Sequence, residues 1–242
     1  MPKIYSSSTG TQDDGYIYKS GQSSWVNARD ATSGTRQINN SRTSTAIQAS
    51  YFLGRGGGND YRVFRSFFCF DTSGVTGTVA SAKIGLKGYA SNSGSAIAVK
   101  STAFGGDGGT ALANGDFDAI VGWSAGSSLA GSATVYGSQI TSWNNSAFNE
   151  FTGSSDLLAD IKNNNVVIVC VMNYTQDYLN SAATSSNQAG VHFAEWSSTS
   201  SDPYIDYTLS TGYGNAVNGI AAANISKING IATASIEKVN GI

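Results

Sequence analysis

Charge is what this chain has least of. Asp, Glu, Lys and Arg make up 12% of its 242 residues, against a usual share of about 25%. The net charge is -2 and Lys and Arg form no run, which excludes the electrostatic footprint of a nucleic-acid binder or of a protein held on an anionic membrane. No stretch approaches the roughly 18 apolar residues of a membrane-crossing helix. The opening MPKIYSSSTG has no apolar signal-peptide core, so synthesis and assembly in a host cytoplasm are expected. Proline is confined to Pro2 and Pro203, and the one histidine is His192.

That scarcity bears on chemistry. A Ser-His-acid or Cys-His arrangement would have to use His192, which the GVHFAEW pattern places on a strand face with Ala194 and Trp196 while Glu195 points the other way. A carboxylate pair for glycoside cleavage could in principle be drawn from Asp107, Asp116, Asp118 and Glu195, but without a pocket the separation rule cannot be applied, and the chain is not expected to be an enzyme. GGDGGTALANGDFD (105–118) could supply oxygens to Ca²⁺ but lacks the spaced acidic pattern of a calcium loop. GRGGGND (54–60) lacks a phosphate loop's strand-to-helix setting. No cofactor is expected. Cys69 and Cys170 each sit inside an apolar run and read as buried, reduced thiols, with a disulfide between facing strands as the alternative.

What is present is strand pattern and turn chemistry. VASAKIGLKGYAS (79–91) alternates Ala82, Ile84, Leu86 and Ala90 with Lys83, Lys87 and Tyr89, a strand with one buried and one wet face. YRVFRSFFCFD (61–71) puts Phe64, Phe68 and Phe70 on one side and Val63, Phe67 and Cys69 on the other, the mark of a central strand. Further strands are expected at 96–104, 134–140, 165–174, 190–198 and 204–209, most of them divided by Gly, Asn, Asp and Ser. SSDLLADIKNN (154–164) alone reads as helix, with Ser155 as N-cap and Leu157, Leu158 and Ile161 on one face. Trp25, Trp123 and Trp143 fall near predicted loops, where their rings could stack on sugars; Trp196 falls there too.

After Leu209 the sequence repeats every eleven residues: Val217-Asn218-Gly219-Ile220, Ile228-Asn229-Gly230-Ile231 and Val239-Asn240-Gly241-Ile242, with Ile225 and Ile236 matching between them. Each Asn-Gly is a strong turn or helix-stop signal, so short punctuated segments are expected, whether strands or capped helical turns. This tail cannot bury its Ile and Val alone and should pack on another copy or a partner.

The early DGYIY, then RSFFCFDTSGV, ASAKIGLKGY, HFAEW and DPYIDYTL together resemble the DNRLRE-type β-sandwich family, which includes polysaccharide-binding modules. The resemblance covers roughly residues 14–210 and marks no functional residue. The tail's I-x-K-[VI]-N-G-[VI] repeats resemble those at the ends of phage head fibres, decoration proteins and tail components.

The expectation is an all-β protein: an N-terminal arm over 1–13, an antiparallel jelly-roll-like β-sandwich over 14–210 and an assembly tail over 211–242. The leading functional expectation is a virion structural protein, a phage head decoration, fibre or tail component, partnered by its own copies or other virion proteins. It could also touch host glycans. The alternative is a non-catalytic carbohydrate-binding module.

Overall fold

The strand that reads as apolar on both faces lies at the centre of the fold, in a computed structural model that describes residues 2–7, 10–38, 41–54, 56–90, 94–194, 199–210, 227–228 and 231–232. Strand β5 (Asn59–Asp71) is the longest, and β1 (Lys3–Tyr5), β2 (Gly15–Gln22), β3 (Thr35–Ile38) and β4 (Arg42–Leu53) precede it. After it come β6 (Val79–Lys87), β7 (Ala96–Lys100), β8 (Val135–Ile140), β9 (Phe148–Thr152), β10 (Val166–Asn173), β11 (Gln188–His192) and β12 (Tyr204–Leu209). Helix α1 (Trp25–Arg29) follows β2, and helix α2 (Ser155–Asn163) follows β9.

One edge of β5 takes β2 along residues 61–67 and, further on, an isolated bridge from Ser6 to Phe70. The opposite edge is shared: β4 pairs with residues 59–64 and β10 with 66–71. Adding β11 beside β4, β7 and β8 beyond β10, and β3 beside β2 gives an eight-stranded antiparallel sheet. The order β1-β12-β6-β9 makes a four-stranded antiparallel sheet. The two pack face to face, so the protein is an antiparallel β-sandwich. At β8 and β9 the sheets meet through a bridge between Gly137 and Gly153. Glycine is required at 137, where a Cβ would stand 2.5 Å from that of Phe151.

Period-two alternation separates two cores. Phe68, Phe70, Val167, Val169 and Val171 face the small sheet, meeting Ala82, Ile84, Leu86, Phe151 and Ile205. Val63, Phe67, Cys69, Ile168, Cys170 and Met172 face the other way, under a cover of α1 and loop residues such as Phe104, Phe117, Leu129 and Tyr178. Because the second cover has no sheet ladder of its own, its backbone must be held by other groups.

Arg65 supplies them. It projects from β5 on the loop side and is fully buried. Its Nε and Nη2 donate to the two Asp177 carboxylate oxygens at 2.8 and 2.7 Å. Nη1 donates to Phe117 O at 2.7 Å, and Nη2 also donates to Arg29 O at 2.9 Å. Arg29, equally buried, donates through Nε to Asp177 O and through Nη2 to Ser127 O, both at 2.8 Å. The Trp123 ring lies 4.6 Å from the Arg29 guanidinium and 4.3 Å from that of Arg65. One charged node therefore ties α1, the loops around 117 and 127, and the π-helical turn Tyr174–Tyr178 to the central strand.

Several expectations are corrected. Lys3–Tyr5, expected within an N-terminal arm over 1–13, form a strand of the small sheet: β1 pairs with β12, Lys3 opposite Asp206 and Tyr5 opposite Tyr204. The strand expected to reach Phe104 ends at Lys100, because Ser101 bridges to Ile120 and Phe104 takes a φ of 57°. The strand expected over 79–91 stops at Lys87. Ser154, not Ser155, caps α2, its Oγ accepting from Leu157 N at 3.2 Å. Strand β11 ends at His192, and residues 195–198 lie outside the described ones.

Removing one partner of a buried ion pair strands the other charge. Arg65→Ala is expected to cost about 3–5 kcal/mol in urea unfolding. Arg65→Met combined with Asp177→Leu is expected to cost much less than the sum of the two single changes. Additive losses would show that the two side chains do not act as a pair.

Candidate functional site

Two of the three tryptophans expected at a sugar surface, Trp25 and Trp143, are buried. Trp25 is 8% exposed and its Nε1 donates to Asn180 Oδ1 at 2.9 Å. Trp143 is 6% exposed and donates to Gly190 O at 3.0 Å. Trp123 is half-buried over the two guanidinium groups. Burying the ring while satisfying the indole N–H is how a large amphipathic side chain closes a core corner, and sugar stacking at Trp25 and Trp143 is corrected on that ground. Half-buried Tyr16, Tyr18 and Phe64 form a ladder across β2 and β5, but Tyr18 and Phe64 stack 4.8 Å apart and cover each other's faces.

Residues 105–118 spend their carboxylates on their own backbone. Asp107 Oδ1 accepts from Gly109 N at 2.8 Å, and Asp116 Oδ2 from Ala113 N at 2.9 Å. Among the described residues no three His, Cys, Asp or Glu side chains gather as a metal site. The glycines after β4 make the turn into β5, Gly54 N donating to Gly58 O at 2.8 Å. His192 is buried against Tyr89, and burial, then the charges of Arg42 and Lys87, hold it below the ordinary histidine range. The cysteines are buried and free. The register sets Cys69 opposite Ile168 and Cys170 opposite Phe67, so they are diagonal neighbours, too far apart for a relaxed bridge. Burial pushes the Cys69 thiol up to about 12.

In the tail, strand β13 (Lys227–Ile228) pairs antiparallel with β14 (Ile231–Ala232), Ile228 opposite Ile231. The two short strands make a minimal β-hairpin; Asn229 and Gly230, expected to turn between them, lie outside the described residues. Ile231 is 56% exposed. Val217, Ile220, Ile225, Ile236, Val239 and Ile242 lie outside the described residues.

A polar cleft of about 580 Å³ opens where the end of α2 meets β7, β8 and the start of β10. Asp160 organises one wall. Its Oδ2 accepts from Lys100 Nζ at 2.7 Å and from the Tyr136 hydroxyl, and its Oδ1 accepts from Asn164 Nδ2 at 2.9 Å. Burial pushes the Asp160 carboxyl up, but the bonds from Lys100 and Tyr136 outweigh it and leave the group below the usual range. Burial and the bond to Asp160 push the Tyr136 phenol up, so it stays a donor. Thr72 holds the asparagine run in place, bonding Asn165 O through its amide at 2.8 Å and Asn164 O through its hydroxyl at 2.7 Å. Asp107 lines the cleft from the glycine loop, and Ile168 and Val166 from β10. Sequence reasoning took the asparagines only as a helix stop; their clustering was the available signal.

No family model matches the chain, and no curated protein matches it.

One buried carboxyl has a measurable signature. Asp202, 7% exposed on the turn before β12, has no hydrogen-bond partner for Oδ1 among the described residues, and burial raises it to about 6. The folded state thus holds this proton more tightly than the unfolded chain, and the contribution to stability grows as pH falls through about 6, levelling off below the unfolded value of about 3.9. Asp202→Asn is expected to raise the melting temperature at about pH 7.5 by roughly 2–4 °C. It should also remove the extra stability gained toward about pH 5; calorimetry across that range checks both.

Proposed function

We propose that this protein is a structural component of a virus particle, a bacteriophage head decoration, fibre or tail component, that displays its β-sandwich and assembles through residues 211–242. The observation that carries this reading is the eleven-residue repeat with a hairpin at its middle step, where Lys227–Ile228 pairs with Ile231–Ala232 and Ile231 remains 56% exposed. A two-stranded hairpin is marginal by itself in water, and three apolar steps in series gain stability by stacking on other strands, those of further copies or of another virion protein. The sandwich suits display: the chain carries only 12% charged residues, and the buried node leaves its loops well fastened. The non-catalytic carbohydrate-binding reading is favoured by a different observation, the polar cleft, and is compatible with the first.

Light scattering after size exclusion tests the assembly reading. The full chain is expected to run as a defined oligomer and a chain ending at Ser210 as a monomer. Identical monomers would count against self-assembly through the tail.

A further inference from the structure

The geometry points to the cleft beside Asp160 as a binding site for a neutral oligosaccharide. This rests on the carbohydrate-binding reading and is independent of the assembly reading. The lining selects the ligand class by charge first. One cation, Lys100, and one carboxylate, Asp107, line the cleft, and Lys100 is already bonded at 2.7 Å to Asp160, which stands outside the lining. The lining therefore has no net charge to draw an ion: an anion would meet the Asp107 carboxylate, and a bare metal cation would meet the Lys100 ammonium. An apolar ligand would desolvate the Asn163 and Asn165 amides and the Asp107 carboxylate without replacing their bonds to water.

A sugar hydroxyl both donates and accepts, and the cleft offers both at close spacing. The Asp107 carboxylate accepts, the Lys100 ammonium donates, and Asn163, Asn164 and Asn165 present amides that do each. Ile168 and Val166 give the C–H face of a sugar ring an apolar surface beside these groups. The arrangement is preorganised: three donors converge on Asp160, two of them from strands β7 and β8. Rigid polar groups lose less ordering entropy on binding. A cleft of about 580 Å³ is within the range of small-ligand sites and takes a short run of sugar units.

The experiment uses the full chain on a printed array of neutral and acidic oligosaccharides, followed by calorimetry with the best neutral hit. Binding to at least one neutral oligosaccharide is expected, weakened about tenfold or more by Asp160→Asn, which removes the charge that orders the lining residues Lys100, Tyr136 and Asn164. Because Asp160→Asn also disturbs Lys100 and Tyr136, the exposed pair Asn163→Ala and Asn165→Ala is measured beside it, with a weakening of severalfold expected and unfolding unchanged. Amide shifts on titration should cluster at 100–107 and 163–168. Neutral-glycan binding that survives all of these variants would overturn the site while leaving the carbohydrate reading in place. No neutral binding, or binding of acidic glycans alone, would overturn both.

Discussion

The buried pairing of Arg65 with Asp177 is the constraint on which the rest of the structure depends. A sheet apolar on both faces has to be covered on both. On one side a second sheet does this with its own ladder. On the other the cover is loop, and loops bring backbone groups that need partners. A guanidinium with its donors in a rigid fork reaches a carboxylate and two carbonyls at once, and so Arg65 fastens segments 36, 52 and 112 residues away in sequence. In net free energy such a pair is worth no more than well-packed apolar side chains. Its value lies in placement: the loop layer has one arrangement that satisfies every charge, and the aromatic faces of Trp123 and Phe117 close over it.

The same arrangement explains what could be read in the sequence. The runs at 61–71 and 165–174 declared themselves as nearly unbroken apolar stretches buried on both faces, and 79–87 by its alternation in sequence, and the assignment of Phe68 and Phe70 to one face and Phe67 and Cys69 to the other is the division between the two cores. Strand β4 was not legible. Its buried stretch contains Gln48 and Ser50, whose polarity is absorbed by a bond to each other at 3.0 Å and by contacts with Gln188 and Asn187. Strand β9 is short, and β1 looks like a polar terminus until its partner β12 is known.

The node and the cleft were illegible for a shared reason. Arg65 and Asp177 each look like ordinary surface charges in a linear reading, and only topology brings them together across 112 positions. The cleft draws on residues near 100, 107, 136, 160 and 165, each of which belongs locally to a strand end, a glycine loop or a helix stop. Trp25 and Trp143 misled in the opposite sense, since proximity to loops suggested exposure whereas both are buried. In the tail, the sequence left strand and helix open, and the pairing of Ile228 with Ile231 resolves the middle step as a hairpin.

If the charged node fastens the loop layer, that layer should open only with the sheet beneath it. Native-state hydrogen exchange reads this directly. The amides of Leu129, bonded to Tyr178 O at 2.8 Å, and Ala133, bonded to Leu129 O at 3.0 Å, are predicted to exchange as slowly as those of Phe67 and Cys170 in the central strands. Fast exchange at Leu129 and Ala133 while the strand amides stay protected would show a loosely attached cover, and would contradict the central role of Arg65 and Asp177.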